Sequence, residues 1–215
     1  MTIEIQSSAD IIANKIRNSI ISGEFPSGQS LNQDKLSRIY KVSKIPIREA
    51  LNQLKTEGLI TFKNNRGSHV SSLSCDEVEE IYTIRMALEE IALKRSIPDL
   101  QEKDFIAAES ILKLIDVSNN YLDWSKLNWK FHAAIYKSAN MPKLLNMVSV
   151  LHNNVSRYLL LYLKDLNFQK ISQDEHWQLF NLCRERNTKA AVELLKMHMQ
   201  EALNITVIHM KENKI

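Results

Sequence analysis

Residues 43–60 read SKIPIREALNQLKTEGLI, and this stretch predicts a helix with one buried face and one basic face. Its apolar residues follow the i, i+3, i+4, i+7 spacing of one side of an α-helix: Ile47, Ala50, Leu51 and Leu54. Polar and basic residues occupy the opposite side: Lys44, Arg48, Asn52 and Lys55. The function of that basic side is the first question that the sequence raises.

The ends of this helix and the segment before it predict a helix-turn-helix. With Ser43 as the N-cap, Pro46 lies in the first turn, where backbone N–H groups have no intrahelical partner to lose. Gly58 is suited to the left-handed position that ends the helix. A short helix capped by Asn32 precedes it across a tight turn, and a helix with an isoleucine stripe precedes both.

The segment after Gly58 predicts a β-hairpin. Residues 59–62 and 68–71 read as short strands around a polar turn with two cationic side chains. A helix-turn-helix followed by a hairpin with a basic tip is a winged helix-turn-helix, whose third helix enters the major groove. A solvated helix face is the alternative for the basic stripe taken alone, but the three features together favour double-stranded DNA as a partner.

The run LNQDKLSRIYKVSKIPIREALNQLKTEGLI, with NNRGSHV after it, resembles the winged helix of the GntR family of bacterial transcription regulators. The resemblance implies that Lys44 and Arg48 contact the groove or phosphates, and that Asn65 and Arg66 are wing contacts. Family members usually carry Arg at position 44 and Ser or Thr at position 45, where this chain has Lys44 and Ile45. The family's operator preference therefore does not transfer to this chain.

Composition and charge set bounds on the function. The chain has 215 residues, of which 44% are hydrophobic, and only 4 Gly and 4 Pro, which favours a mostly helical globular protein. Residues 1–72 hold 10 Lys or Arg against 6 Asp or Glu, so the basic excess is N-terminal. The N-terminus has no secretory signal, no apolar run is long enough to cross a membrane, and the two cysteines show no disulfide pattern. We therefore expect a cytoplasmic protein.

The predicted fold is all-α with a small β-hairpin and has two domains. Residues 1–72 form the winged helix-turn-helix DNA-binding domain. Residues 73–215 show helical periodicity throughout and predict a six-helix antiparallel bundle. Ser74 and Glu77 have the spacing of a capping box at its first helix.

Four polar residues lie on apolar helix faces of this bundle. Asn128 and His132 are spaced i, i+4, while His176 and His198 lie on two later helices. Three histidines on three helices, with one amide, could converge on a divalent cation. The alternative is that each histidine is a hydrogen-bonded core residue, and spacing alone leaves both possibilities open.

The segment from Asp76 to Met210 is similar to the FCD ligand-binding domain of the FadR subfamily, VanR-like group. The similarity lies in IRMALEEIAL, in NWKFH, in the Glu175–His176 pair and in the 22-residue step from His176 to His198. It implies a divalent metal at Asn128, His132, His176 and His198, and a homodimer. Family members more often have Asp at the first of these positions, so the neutral Asn128 leaves more charge on the ion. Imidazole ligands favour Zn²⁺ or Ni²⁺.

Arg85 has two interpretations. It can form an i, i+4 ion pair with Glu89, or it can help to hold a small organic acid effector that the metal also ligates. We interpret His152, His209 and His69 as structural.

The resulting hypothesis is a homodimeric transcription regulator, a repressor, that binds an operator and is controlled by a carboxylate effector. Two alternatives use the same bundle residues: a regulator that senses the metal itself, and a metal-dependent hydrolase. No general base lies at a readable spacing from the proposed ligands, which favours a regulator without a catalytic residue.

Overall fold

The computed structural model describes residues 7–63, 67–162 and 166–212. The chain divides into two compact units, Met1–Leu73 and Ser74–Ile215. Each is described by itself below.

In its described residues, the first unit contains three helices and a small sheet. The helices are α1 (Ser8–Ile21), α2 (Gln33–Tyr40) and α3 (Lys44–Thr56). The strands are β1 (Ser30–Leu31), β2 (Ile60–Lys63) and β3 (Gly67–Val70). This is a winged helix-turn-helix, in which α2 and α3 are the paired helices and β2–β3 form the hairpin.

Helix α3 is formed as its apolar spacing predicts. Its four stripe residues are fully buried and pack in one core with α1, Leu36 of α2 and Val70 of β3. Gly58 follows the helix with a φ of 78°, a backbone conformation that side chains with a Cβ disfavour. Ser43 is the N-cap residue, but its side chain makes no cap hydrogen bond.

The sheet has one strand more than the sequence predicts. Its order is β1-β3-β2 and both pairings are antiparallel, with Ser30 opposite His69 and Ile60 opposite Val70. Strand β1 has only two residues, which is too short to show alternation in a sequence. Its pairing with β3 makes β3 the central strand.

The second unit is a bundle of six α-helices within the described residues. They are α4 (Cys75–Ser96), α5 (Glu102–Asp116), α6 (Tyr121–Tyr136), α7 (Pro142–Tyr162), α8 (Leu166–Arg184) and α9 (Thr188–Glu212). Ser74 and Glu77 form the capping box that starts α4. Short 3₁₀ turns follow α4 and α6, at Ile97–Asp99 and Lys137–Ala139.

Helix α4 packs against α6, α7 and α9, and α8 packs against α5 and α9. The inward faces of four of these helices therefore meet in one interior, to which α4, α6, α8 and α9 contribute the polar residues described below. Among the described residues, no helix is both long enough and apolar enough to span a bilayer.

Candidate functional site

Three buried histidines meet in the interior of the bundle. His132 of α6, His176 of α8 and His198 of α9 place their candidate ligand nitrogens within 4.8 Å of one another. Their ring centroids are 4.8 to 5.5 Å apart. Small ring rotations would bring these nitrogens to the roughly 3.4 Å that separates imidazole nitrogens on one tetrahedral ion. The structure thus brings together the three histidines that the sequence singles out.

Two of these rings are held from outside the cluster through Nδ1. Nδ1 of His198 lies 2.7 Å from Oε2 of Glu175, and Nδ1 of His176 lies 3.1 Å from Oε1 of Gln173. A carboxylate and an amide carbonyl only accept hydrogen bonds, so both Nδ1 atoms donate. In neutral imidazoles this leaves the Nε2 lone pairs for the interior.

The Gln173 amide is itself oriented by two acceptors. Its Nε2 donates to the Leu112 carbonyl at 3.1 Å and to Oδ1 of Asp116 at 2.8 Å. Since neither partner can donate, the amide oxygen must face His176. Asp116 of α5 therefore determines, through one glutamine, which nitrogen of His176 carries the proton.

His132 is held by a longer chain of contacts that ends on α4. The Tyr136 hydroxyl donates to Oε2 of Glu89 at 2.8 Å, and its oxygen lies 3.3 Å from Nδ1 of His132. Because the hydroxyl hydrogen is used on Glu89, the oxygen accepts from His132. Oε1 of Glu89 in turn accepts from Nε of Arg85 at 2.9 Å. All three histidines thus present the same nitrogen, Nε2, to the cluster.

Burial favours the neutral form of two of these imidazoles, those of His132 and His176. It lowers the pKa of His132 and of His176 well below the usual value, and neighbouring His176 and His198 lower the pKa of His132 further. A neutral imidazole is the form that binds a metal ion. The surroundings of His132 and His176 therefore suit a bound cation better than a protonated imidazole.

Two buried acceptors on the proposed metal ligands have no hydrogen-bond partner among the described residues. They are Nε2 of His176 and Oδ1 of Asn128, the residue one helical turn before His132. An unpartnered buried acceptor is unfavourable unless a ligand or ion completes it. The residues present fit a divalent cation, with three imidazole nitrogens and an amide oxygen as donors.

Arg85 forms the intrahelical ion pair that its spacing allows. Its side chain is 7% exposed and that of Glu89 is 1% exposed. The guanidinium is therefore not an isolated positive charge. A carboxylate bound beside it would share the guanidinium with Glu89.

The sequence does not predict where the side chain of His152 of α7 lies within the bundle. It is buried, its Nδ1 has no partner among the described residues, and its ring stacks on Trp129 at 4.4 Å. Burial, and then the Arg85 charge, lower its pKa well below the usual value. In the sequence it is one residue of an apolar helix face, so no spacing signal distinguishes it from a core histidine. Tyr136 and Gln173, which help to orient the cluster, likewise have no spacing signal, whereas the sequence indicates Glu89 and Glu175 only as the partner of Arg85 and as the neighbour of His176.

The predicted DNA-contact residues fall into two groups. Lys44 and Arg48 are both exposed on α3, as the stripe predicts. Nζ of Lys44 lies 2.6 Å from Oδ1 of Asp34 on α2, and this ammonium lowers the pKa of the Asp34 carboxyl. Asn65 and Arg66 lie outside the described residues.

Each of the two units matches a known protein family. Residues 8–70 match the gntR family of bacterial regulatory proteins, and residues 80–201 match the FCD domain. The chain belongs to the GntR family and carries a C-terminal FCD domain. It is thus a DNA-binding transcription regulator and not an enzyme, which sets aside the hydrolase alternative.

Curated relatives cover most of the chain. The HTH-type transcriptional repressor GlaR of Escherichia coli is 30% identical over 86% of this chain and 89% of its own length. The uncharacterized HTH-type regulator YdhC of Bacillus subtilis is 28% identical over 92% of this chain and 88% of its own. The gluconate operon transcriptional repressor of Bacillus licheniformis is 30% identical over 71% of this chain and 64% of its own.

Solved structures show the same architecture. A GntR family member from Pseudomonas syringae pv. tomato is 32% identical, covers 96% of this chain and 87% of its own, and superposes with a TM-score of 0.62. Escherichia coli McbR/YncC superposes with a TM-score of 0.83 at 20% identity, over 94% of this chain and 98% of its own. At that identity the likeness shows the fold alone.

Proposed function

We propose that this regulator is a homodimeric repressor controlled by a small carboxylate effector, which binds at a divalent metal held by Asn128, His132, His176 and His198. The observation that carries the proposal is the common orientation of the three imidazoles. Each Nδ1 donates to an acceptor outside the cluster, so that three Nε2 lone pairs face one interior. Core histidines that bind no common ligand are not expected to share one ring orientation.

The proposed donor set favours an anionic effector. Three imidazoles and one amide carry no negative charge, so a bound Zn²⁺ or Ni²⁺ would keep most of its charge. The chemistry that such an ion would supply is direct ligation of an anion, in a coordination shell expanded beyond the four protein donors. A carboxylate fits this role, and Arg85, near His132 through Glu89 and Tyr136, is the candidate for a second contact.

The names of two relatives support the proposal that this regulator is a repressor. GlaR is named a repressor, and another relative is named the repressor of the gluconate operon; gluconate is itself a carboxylate. The DNA-binding unit supplies one winged helix per chain, so a palindromic operator calls for two copies. In the bacterial cytoplasm, Lys44 and Arg48 of α3, with Asn65 and Arg66 of the wing, would contact this operator.

The test begins with the metal content of protein purified without an affinity tag. We expect one Zn²⁺ or Ni²⁺ per chain by elemental analysis, and calorimetric binding of small organic acids by the metal-loaded protein. His176→Ala and His198→Ala should lose both the metal and the acid response yet still bind an operator selected from random duplex DNA. His209→Ala, on the same helix as His198, is the matched control and should behave as the parent.

Two outcomes would decide against the proposal. A metal-free parent whose His176→Ala variant still responds to an acid would leave the three histidines as core residues. A metal that changes operator affinity without any acid, while no acid binds, would identify a metal-sensing regulator instead.

A further inference from the structure

The exposed face of α4 carries a regular seam. Along it, exposed residues recur at alternating spacings of four and three: Glu80, Ile84, Ala87, Ile91 and Lys94. This is the a/d spacing of a helix that packs against another helix. The two isoleucines are 40% and 42% exposed, although they lie in the middle of a 22-residue helix.

Helix α9 extends this seam into a broader surface. It packs beside α4 in the opposite direction, since Lys196 pairs with Glu90 at 2.6 Å while later residues of α9 line a groove with Glu79 and Thr83. Its outward side exposes Met197 by 68% and Ile208 by 56%. A groove of about 510 Å³ runs between the two helices and is lined by Met86, Ala87, Glu90, Lys196, Met197 and Gln200.

The charges on the α4 part of this surface are separated along its length. The first turns of α4 expose acidic residues: Asp76, Glu77, Glu79 and Glu80. The last turn of α4 exposes two basic residues, Lys94 and Arg95, whereas the exposed side of α9 carries charges of both signs: Glu193, Lys196, Glu201 and Lys211. Glu80 and Lys94 are about 21 Å apart along α4, with the two isoleucines and Ala87 between them.

We propose that this α4–α9 face is the surface on which a second copy of the chain docks, with the two α4 helices antiparallel and crossing near Ala87. The inference rests on the proposed homodimer and names its surface. Rotation by 180° about an axis at Ala87 places Glu80 of one copy level with Lys94 and Arg95 of the other. The same rotation brings Ile84 of one copy near Ile91 of the other.

A second copy fits this face because the face is complementary to itself. A two-fold interface uses the same patch twice, so an acidic end must meet a basic end across the axis. Along α4 the apolar residues lie at the centre, the acidic and basic residues lie at opposite ends, and a small alanine at the crossing point lets the backbones approach. Each copy contributes two neighbouring helices, which together make a four-helix arrangement with a buried apolar seam.

The first test uses the full chain in analytical ultracentrifugation over a range of concentrations. Ile91→Asp should raise the dimer dissociation constant by at least about 100-fold, because the carboxylate is buried twice in each dimer. Ile106→Asp is the matched control, since Ile106 is a 57% exposed isoleucine on α5, outside the face. The control should dimerise as the parent does, and circular dichroism should show unchanged helix content in both variants.

A charge exchange tests the antiparallel register. Glu80→Lys alone and Lys94→Glu alone should each weaken the dimer about tenfold, since each places like charges opposite one another. The double variant should return to within about threefold of the parent. Lys94 also pairs with Glu90 of its own chain at 2.5 Å, so the thermal stability of each variant is measured beside its dimerisation.

The outcomes separate this inference from the proposed function. A parent that is monomeric at every concentration would overturn the homodimer itself. A dimeric parent whose Ile91→Asp variant is equally dimeric would overturn only the docking face. Dimerisation lost with Ile91→Asp but not recovered in the charge-exchanged double variant would overturn the antiparallel register.

Discussion

The two ring nitrogens of His176 lie in different surroundings, which determine which of them carries the proton. Nδ1 meets the Gln173 amide, whereas Nε2 is buried without a partner beside His132 and His198. The amide oxygen accepts only because the amide nitrogen is committed to Leu112 and Asp116. A single tautomer therefore results from contacts on α5, one layer away from the cluster.

This geometry predicts a metal-affinity effect for a residue that touches no metal. Gln173→Ala should lower the affinity for Zn²⁺ by about 10- to 100-fold, since His176 loses the acceptor that fixes its tautomer and ring orientation. Competition against a chromogenic chelator measures this. Gln178→Ala, at an exposed position of the same helix, serves as the control. Equal affinity in both variants would show that Gln173 has no orienting role.

The buried histidines also predict how the metal-free protein responds to pH. Burial lowers the pKa of His132, His152 and His176 well below 6.5, so the unfolded chain binds more protons than the folded chain below that pH. Stability is therefore complete above about pH 6.5 and falls by roughly 1.4 kcal/mol per pH unit for each histidine below it. Urea unfolding between pH 7.5 and 5.5 measures the slope. A flat profile would contradict the neutral state of these rings.

At the scale of single elements, α3 illustrates why a local pattern can be predicted. Its buried residues contact α1 and the sheet, but they are selected by the 3.6-residue repeat, which is a property of the helix alone. The same repeat leaves Lys44 and Arg48 exposed. The repeat does not predict the partner of Lys44, which is Asp34 of α2. Oδ1 of Asp34 lies 2.6 Å from Nζ of Lys44 because the turn between the two helices brings α2 and α3 together.

The exposed side of α3 predicts a specific loss of operator binding. Arg48→Ala should weaken operator binding by about 1 to 3 kcal/mol if Arg48 contacts a base, whereas Arg66→Ala should weaken binding to all sequences and reduce its salt dependence. Fluorescence anisotropy with selected and scrambled duplexes distinguishes the two. Arg184→Ala, exposed on α8, is the control. Parental affinity in both test variants would contradict the assignment of α3 as the recognition helix.

The contact between α2 and α3 predicts a gain of binding. Asp34→Asn should strengthen binding to any duplex by a fewfold, because it removes a carboxylate that competes with phosphate for Lys44. The gain should shrink as salt is raised. Glu49→Gln, another exposed acid of this unit, tests whether removal of any negative charge has the same effect. An equal gain in both variants would assign the effect to net charge and not to the Lys44 pair.

At the scale of the whole molecule, the two units can be observed separately. All 3 tryptophans of the chain, Trp124, Trp129 and Trp177, lie in the second unit. Trp124 and Trp129 contact His176 and His152, with ring centroids 6.0 and 4.4 Å apart. Tryptophan fluorescence therefore reports on the bundle, while circular dichroism reports on both units.

This separation predicts which unit a metal stabilises. Zn²⁺ at 100 times its dissociation constant should stabilise the bundle by about 2.7 kcal/mol and shift the fluorescence transition to higher urea. The share of the dichroism transition that comes from the first unit should stay in place. His176→Ala should abolish the fluorescence shift. A shift that persists in this variant would mean that Zn²⁺ acts elsewhere.

The sequence by itself determined the elements that depend on neighbours along the chain. The helices, the wing hairpin and the glycine after α3 follow from periodicity, capping and backbone sterics within about a dozen residues. The family and its two domains were also readable from motifs. Strand β1 was not, since two residues carry no period and owe their pairing to β3.

Only the tertiary structure decided what the candidate site contains. His132, His176 and His198 lie on three helices, and nothing in their spacing encodes how those helices cross. The groups that orient them are as distant in sequence: Tyr136 and Glu89 are 47 residues apart, and Gln173 and Asp116 are 57 apart. In the sequence, Tyr136, Gln173 and Asp116 each read as an ordinary helix residue. Their meeting is a consequence of close packing between helix faces, a three-dimensional property that one-dimensional periodicity does not record.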